Sequence, residues 1–207
     1  MGREIHPTAR TQPFLANDGI AEEHLCSRDT VLAEVIRAQM TRWNPIQTED
    51  VLSGLIRIVI SQQISTSAAR TIAARLERAF PDLKLGNLDE LSFDALRSCG
   101  VSPRKASCCI AIAESSICLR ADLTAIPPRY DNVQRISGIG RWTIDVLRIM
   151  ILKELDIVPN GDLGLQRAIS NNYSELPEMS ELAQLWSPFG SVACWYLWRS
   201  LGNPPLG

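Results

Sequence analysis

The sequence predicts an all-α protein of roughly nine or ten helices. Apolar residues recur at three- and four-residue spacings, Pro and Gly break the chain at helix-length intervals, and alternating strand patterns are absent apart from the short, ambiguous "LDIVP". With 207 residues and 45% hydrophobic content, the chain can bury a sizeable core as one domain or two small lobes.

The elements follow in order. Residues 1–25 are polar and irregular and read as a flexible N-terminal segment. "SRDTVLAEVIRAQM" opens with Ser/Asp cap candidates and sets Val31, Leu32, Val35 and Ile36 on one helical face. In "EDVLSGLIRIVISQQIS", Leu52, Leu55, Ile56, Val59 and Ile60 predict a helix buried on much of its circumference. "STSAARTIAARLERAF" follows as a second helix, ended by Pro81. "LDELSFDALRSCG" is a short helix stopped at Gly100, and "SPRKASCCIAIAESSI" has Ser102 as N-cap with Pro103 at the first helical position. "DNVQRISGIGRWTIDVLRIMIL" reads as helix, tight turn, helix. "GDLGLQRAISNN", "MSELAQLW" and "SVACWYLWRSL" complete the set, and residues 203–207 form a tail that cannot continue a helix.

Composition narrows the chemistry. No apolar run approaches the roughly 18 residues of a membrane span, and the N-terminus lacks the apolar stretch of a signal peptide, so an intracellular protein with no membrane partner is expected. The cysteines, Cys26, Cys99, Cys108, Cys109, Cys118 and Cys194, form no C-x₂-C pair, which favours buried, reduced thiols over a zinc or iron–sulfur site. His6 and His24 are the only histidines, so acid/base chemistry must rest on carboxylates. A net charge of −2 argues against nucleic-acid binding through bulk positive charge but leaves room for a local basic face.

Gly138 and Gly140 sit in "ISGIGRW", directly before a strongly helical run. They can simply supply the backbone angles of a tight turn. Alternatively, their missing Cβ atoms let a phosphate approach the backbone of residues 138–141, including Ile139, and the N-terminus of the next helix, with Arg141 adding charge. Asp162 lies 22 residues after Gly140, at the start of the next helix. It reads either as an N-cap or as a functional carboxylate.

Taken with "VISQQIST", "LSFDALRSCGVSPRKASCC" and "LWSPFGSVACWYLWRSL", this hairpin and its following aspartate resemble the helix-hairpin-helix DNA glycosylase superfamily. Within it, the likeness is to the alkylation-repair branch, the DNA-3-methyladenine glycosylase II type. The resemblance spans about residues 30–202 and implies a two-lobed helical domain over 26–202 around a central cleft. It implies a monofunctional, monomeric enzyme that excises alkylated purines, of 3-methyladenine and 7-methylguanine type, from double-stranded DNA. Asp162 would be the catalytic carboxylate, Gln63 the wedge that fills the vacated stack, and Gln62 its neighbour. Arg104 and Lys105 are candidate phosphate contacts or ordinary surface charges. Trp142, Trp186, Phe189 and Trp195 are candidate base-pocket walls, or core. The family's hairpin also holds a structural Na⁺ or K⁺ through carbonyls that align with Gln134, Ile136 and Ile139; no other cofactor is implied.

Departures from the family pattern sharpen the expectation. Trp142 stands where strand-cleaving members carry lysine, so no Schiff base and no β-lyase step are expected. Only Cys194 lies where the iron–sulfur branch needs four cysteines. The residues before the first matched helix are too few for the extra sheet domain of larger bacterial relatives. Ser137 replaces a more usual proline, and Val146 stands where those relatives place a pocket aromatic, which leaves the base range open. The place of action would be the cytoplasm or nucleoid in a bacterium and the nucleus in a eukaryote. Two rivals remain: a non-catalytic helix-hairpin-helix module that binds damaged DNA, and a glycosylase for other lesions such as deaminated bases.

Overall fold

The computed structural model describes residues 19–45 and 50–202. Among these, twelve α-helices and one 3-10 helix form, and no strand does. The helices are α1 (Ile20–Arg28), α2 (Thr30–Arg37), α3 (Val51–Ser61), α4 (Thr66–Ala79), α5 (Phe93–Ser98) and α6 (Pro103–Glu114). They continue with α7 (Ser116–Leu123), α8 (Asp131–Gln134), α9 (Arg141–Met150), α10 (Leu163–Asn172), α11 (Met179–Trp186) and α12 (Gly190–Ser200). The 3-10 helix spans Pro81–Leu85.

Two helices exceed the expected count. α1 begins inside the segment read as flexible: it is polar on most positions, yet Ala21 and Leu25, four apart, bury completely. Residues 1–18 and 203–207 lie outside the described residues. The run read as one helix from Pro103 to Ile117 breaks at Ser115, and α7 starts from it. "LDIVP" forms no strand; residues 155–159 are irregular. Expected stops hold: Gly100 takes the left-handed φ of +95° after α5, and Pro103 opens α6.

Packing sorts the helices into two groups. α4 to α9 gather around α3, which meets α4, α6, α7 and α9. α1 and α2 return to pack with α10, α11 and α12. α3 is central because nearly every side of it is apolar: Leu52, Leu55, Ile56, Ile58, Val59 and Ile60 are all buried. Each such side chain contributes roughly 1.5–3 kcal/mol on leaving water. Gly54 lets Ile151 lie against the α3 backbone, since a Cβ there would fall 2.7 Å from Ile151 Cδ1.

Two carboxylates, Asp50 half-buried and Asp29 buried, tie the groups internally. Asp50 Oδ1 caps α3 by accepting from the amides of Leu52 and Ser53, while its Oδ2 accepts from Arg120 Nε of α7 at 2.9 Å. Asp29 caps α2 through the Leu32 amide and also accepts from Tyr173 Oη at 2.6 Å and Trp186 Nε1 at 2.8 Å. That second carboxylate knots α2 to the end of α10 and to α11.

Four of the six cysteines are buried as expected, but Cys118 is exposed and Cys26 half-buried; none is in a disulfide. No described helix is long and apolar enough to cross a membrane.

Candidate active site

The hairpin between α8 and α9 is built by two buried residues and two glycines. Val133 and Ile139 anchor the turn in the core, and amides of Ile136 and Ile139 donate to Val133 O at 3.2 Å and Ile136 O at 3.1 Å. Gly138 has φ +101°, and a Cβ there would press on Cys108 Sγ at 3.3 Å. Gly140 differs: its backbone is ordinary extended chain, and its absent Cβ faces open space. It caps α9 without a side chain, so the first-turn N–H groups of α9 emerge beside bare backbone. Arg141, the first residue of α9, is exposed and held by a fork on the buried Asp145, with Nε at 3.0 and 3.1 Å from the two oxygens. Burial outweighs the pull of Arg141 and Arg148 and raises the Asp145 carboxyl above its ordinary value.

Asp162 is only 4% exposed and has three donors around it. Oδ1 caps α10 by accepting from the Leu165 amide and also accepts from Trp198 Nε1 at 3.0 Å. Oδ2 accepts from Trp142 Nε1. Trp142 belongs to α9 in one group and Asp162 opens α10 in the other, so this bond crosses the junction between them. Gly164 makes room, since a Cβ there would lie 3.2 Å from Asp162 Oδ1 and 3.5 Å from Trp198 Cδ1. Burial first, and then the Asp162 charge, push the neighbouring Cys194 thiol well above its ordinary value. The N-cap and functional readings of Asp162 are therefore compatible, because capping uses one oxygen.

The junction between α3 and α4 carries the two glutamines. Gln63 is exposed with φ +53°, a left-handed conformation that side-chain-bearing residues rarely adopt. Gln62 turns inward: Nε2 donates to Thr143 Oγ1 at 2.8 Å and to Gly138 O at 3.3 Å. Lys105, a candidate phosphate contact or surface charge, donates Nζ to Ile60 O and Gln62 O, each at 2.7 Å, and burial lowers its pKa. The C-terminus of α3 explains this, since its unpaired carbonyls attract a cation. Arg104 remains exposed at the start of α6.

The aromatic candidates divide. Trp142 is half-buried against Asp162, and Phe189 is half-buried with its ring edge-on to His24 at 5.2 Å. Trp186 and Trp195 are 0% and 3% exposed and are core, not pocket walls. Trp186 spends its indole N–H on Asp29, and Trp195 packs between Tyr196 and the Arg199 guanidinium 4.8 Å above its ring. Trp195 lies on α12, where every residue from Gly190 to Trp198 is buried, and Trp186 ends α11, where it and Leu182 are the buried residues. The tryptophan that sequence reasoning missed is Trp198, three residues past Trp195 on α12 and bonded to Asp162. No local pattern singles it out, because residues three apart share a helix face and the partner lies 36 residues away. Val146 is fully buried. Of the three carbonyl candidates, that of Ile136 already accepts the Ile139 amide and keeps a second lone pair.

A family model described as HhH-GPD superfamily base excision DNA repair protein matches residues 56–188, well over half the chain. The chain belongs to this superfamily. It is 28% identical over 203 residues to DNA-3-methyladenine glycosylase 1 of Schizosaccharomyces pombe, covering 87% of this chain and 86% of the relative. It is also 28% identical over 183 residues to DNA-3-methyladenine glycosylase of Saccharomyces cerevisiae, covering 78% and 62%. Among solved structures, the fold is similar to S. pombe 3-methyladenine DNA glycosylase in complex with abasic DNA, at TM-score 0.73 and 28% identity over 88% of this chain and 96% of that one. A DNA-3-methyladenine glycosidase from Bacillus halodurans is similar at TM-score 0.64 and 27% identity, over 89% and 90%. The superfamily match takes in the hairpin, Asp162 and Trp142 together, as expected from their order in the sequence.

Proposed function

We propose that this protein is a monofunctional DNA glycosylase that hydrolyses the N-glycosidic bond of alkylated purines in duplex DNA and leaves an abasic site. The observation that carries the reading is a buried carboxylate, Asp162, set by two indole donors and a helix cap beside a hairpin whose Gly140 leaves its backbone open. The two yeast relatives, both named DNA-3-methyladenine glycosylases, agree with it.

In this mechanism a strand phosphate rests on the amides at Gly138–Arg141, with Arg141 beside it. The damaged nucleotide leaves the stack and enters between the two helix groups, and Gln63 fills the gap. As the C1′–N bond breaks, its electron pair goes to the purine, and positive charge develops on the sugar. The Asp162 anion stabilises that charge. A unit pair at about 4 Å and an effective dielectric near 20 is worth roughly 4 kcal/mol, of order a thousandfold in rate. Water then adds to C1′ and gives up its proton to the Asp162 carboxylate. An N3- or N7-alkylated purine is already cationic, so it departs without a general acid, and the engagement of His24 with Ser187 O costs the reaction nothing.

Trp142 carries its indole N–H on Asp162 and offers no amine, which supports hydrolysis without strand cleavage. Trp142 is the aromatic surface for the extruded base. Neutral carbonyl oxygens of Gln134, Ile136 and Ile139 are the donors that would hold a monovalent cation at the turn, which would draw a phosphate toward the same amides. The protein acts as a monomer where the genome lies, nucleoid or nucleus.

Incubation with methylated duplex DNA tests the reading. Free methylpurine released by the wild type and lost in Asp162→Asn, with DNA binding retained, supports it. Tight binding with no release from any alkylated duplex would make this a recognition module instead, and release from deaminated-base duplexes alone would move the substrate class.

A further inference from the structure

We infer that Gln62 and Lys105 are positioning residues: together they form a tether that holds Gln63 in its exposed, left-handed position and locks it to the hairpin. This rests on the glycosylase reading for its purpose, while the tether itself stands on the geometry of the DNA-free protein.

Gln63 occupies φ +53° without being glycine. Such a conformation persists only where its surroundings over-determine it. They do so on both flanks. On one side, α3 ends at Ser61, and the Gln62 carbonyl, which belongs to the peptide leading into Gln63, accepts Lys105 Nζ at 2.7 Å. The same ammonium binds Ile60 O at 2.7 Å, so one cation from α6 clamps two carbonyls at the α3 C-terminus. On the other side, Ser65 caps α4 by accepting from the Ala68 amide at 3.2 Å. Only Gln63 and Ile64 span the gap between these fixed points.

The Gln62 side chain adds a longer link. Its amide donates to the carbonyl of Gly138, the residue whose left-handed φ makes the hairpin, and to Thr143 Oγ1, buried in the first turn of α9. The residue that enters the DNA and the turn that grips its phosphate are thus joined through one glutamine, across 76 residues of sequence. Being ordered beforehand, Gln63 loses little freedom on insertion. Lys105 serves the DNA indirectly, by shaping the segment that enters it.

The test uses the full chain as wild type, Gln62→Met, Lys105→Met, Gln63→Ala and the Gln62→Met/Gln63→Ala pair. Hydrogen exchange in DNA-free protein reads the tether directly. Faster exchange confined to residues 59–66 and the hairpin in Gln62→Met and Lys105→Met supports it; unchanged exchange there, or faster exchange everywhere, overturns it. Single-turnover base release then reads its purpose. On a paired 7-methylguanine the two Met variants should slow by about tenfold, and on the same lesion in an unpaired bulge by less than about threefold, because less extrusion is needed. Adding Gln62→Met to Gln63→Ala should change the rate less than about twofold. Equal losses on paired and bulged lesions, or losses that multiply in the double variant, would reduce Gln62 to a structural residue. Absence of release by the wild type would sink the glycosylase reading and leave the exchange result to decide the tether.

Discussion

Trp198 Nε1 donates to Asp162 Oδ1 at 3.0 Å, while the amide that Asp162 caps uses the same oxygen. With Oδ2 taken by Trp142, both oxygens face donors and the carboxylate cannot rotate freely. Asp162→Asn keeps the cap but turns an amide N–H₂ toward an indole N–H. We expect base release to fall of order a thousandfold, with about 1 kcal/mol lost from stability. Single-turnover release and thermal melting measure the two effects, and a variant that melts early yet retains its rate would remove Asp162 from the chemistry.

Trp198→Phe removes one of those donors while preserving most of the ring volume. Release should slow roughly tenfold, about 1.4 kcal/mol of transition-state stabilisation, at little change in DNA affinity. Trp186→Phe removes a donor from Asp29 instead and should cost about 1–3 kcal/mol of stability with an unchanged rate per folded molecule. Equal rate losses in the two variants would restore Trp186 to the pocket.

The hairpin glycines should separate fold from binding. Gly138→Ala meets a left-handed φ and Cys108 Sγ at once, and is expected to lower stability by about 1–2 kcal/mol. Gly140→Ala meets neither, so its melting should match wild type while affinity for duplex DNA drops. Affinity retained in Gly140→Ala would mean that no phosphate sits on that backbone.

Asp50 gives the pH dependence a sign. Burial pushes its carboxyl up, but hydrogen bonds from Arg120 and Ser53 outweigh that and hold it below the usual value near 3.9. The folded value is the lower one, so its contribution is complete above about pH 4 and is lost as pH falls through the lowered value. Thermal melting from pH 7 down to acid should show a steeper decline for wild type than for Asp50→Asn; parallel curves would count against this carboxylate.

Thiol labelling should follow exposure. Iodoacetamide is expected to modify Cys118 first in native protein. Cys109, buried and pushed up to about 12, and Cys194, beside the Asp162 charge, should react only on unfolding. Mass spectrometry of a timed digest reports the order.

The sequence made the helical class, the hairpin and Asp162 legible because each has a local signature: three-four spacing, glycines before a helical run, and a cap position. α1 was not legible, since two buried apolar residues in a polar nine-residue helix leave almost no periodicity. The roles of Lys105, Gln62 and Trp198 depend on partners 36 to 81 residues away, which no local pattern encodes. Lysine in a polar run looks like surface, and only the packing of α6 against the end of α3 turns it into a clamp. Trp186 misled for the opposite reason, because an aromatic's need for a buried acceptor was met by Asp29, far along the chain.

Because Asp162 caps the first turn of α10, folding itself fixes its carboxylate, and under the proposed mechanism the anion that meets the sugar is in place before any DNA arrives. Under that mechanism the tempo of repair belongs to the nucleic acid: bases that slip easily from their stack and carry a weakened sugar bond would reach the anion and be lost, while sound ones would stay out of its range. Discrimination of this kind is kinetic sorting by the substrate's own fragility, with the protein as a fixed gauge.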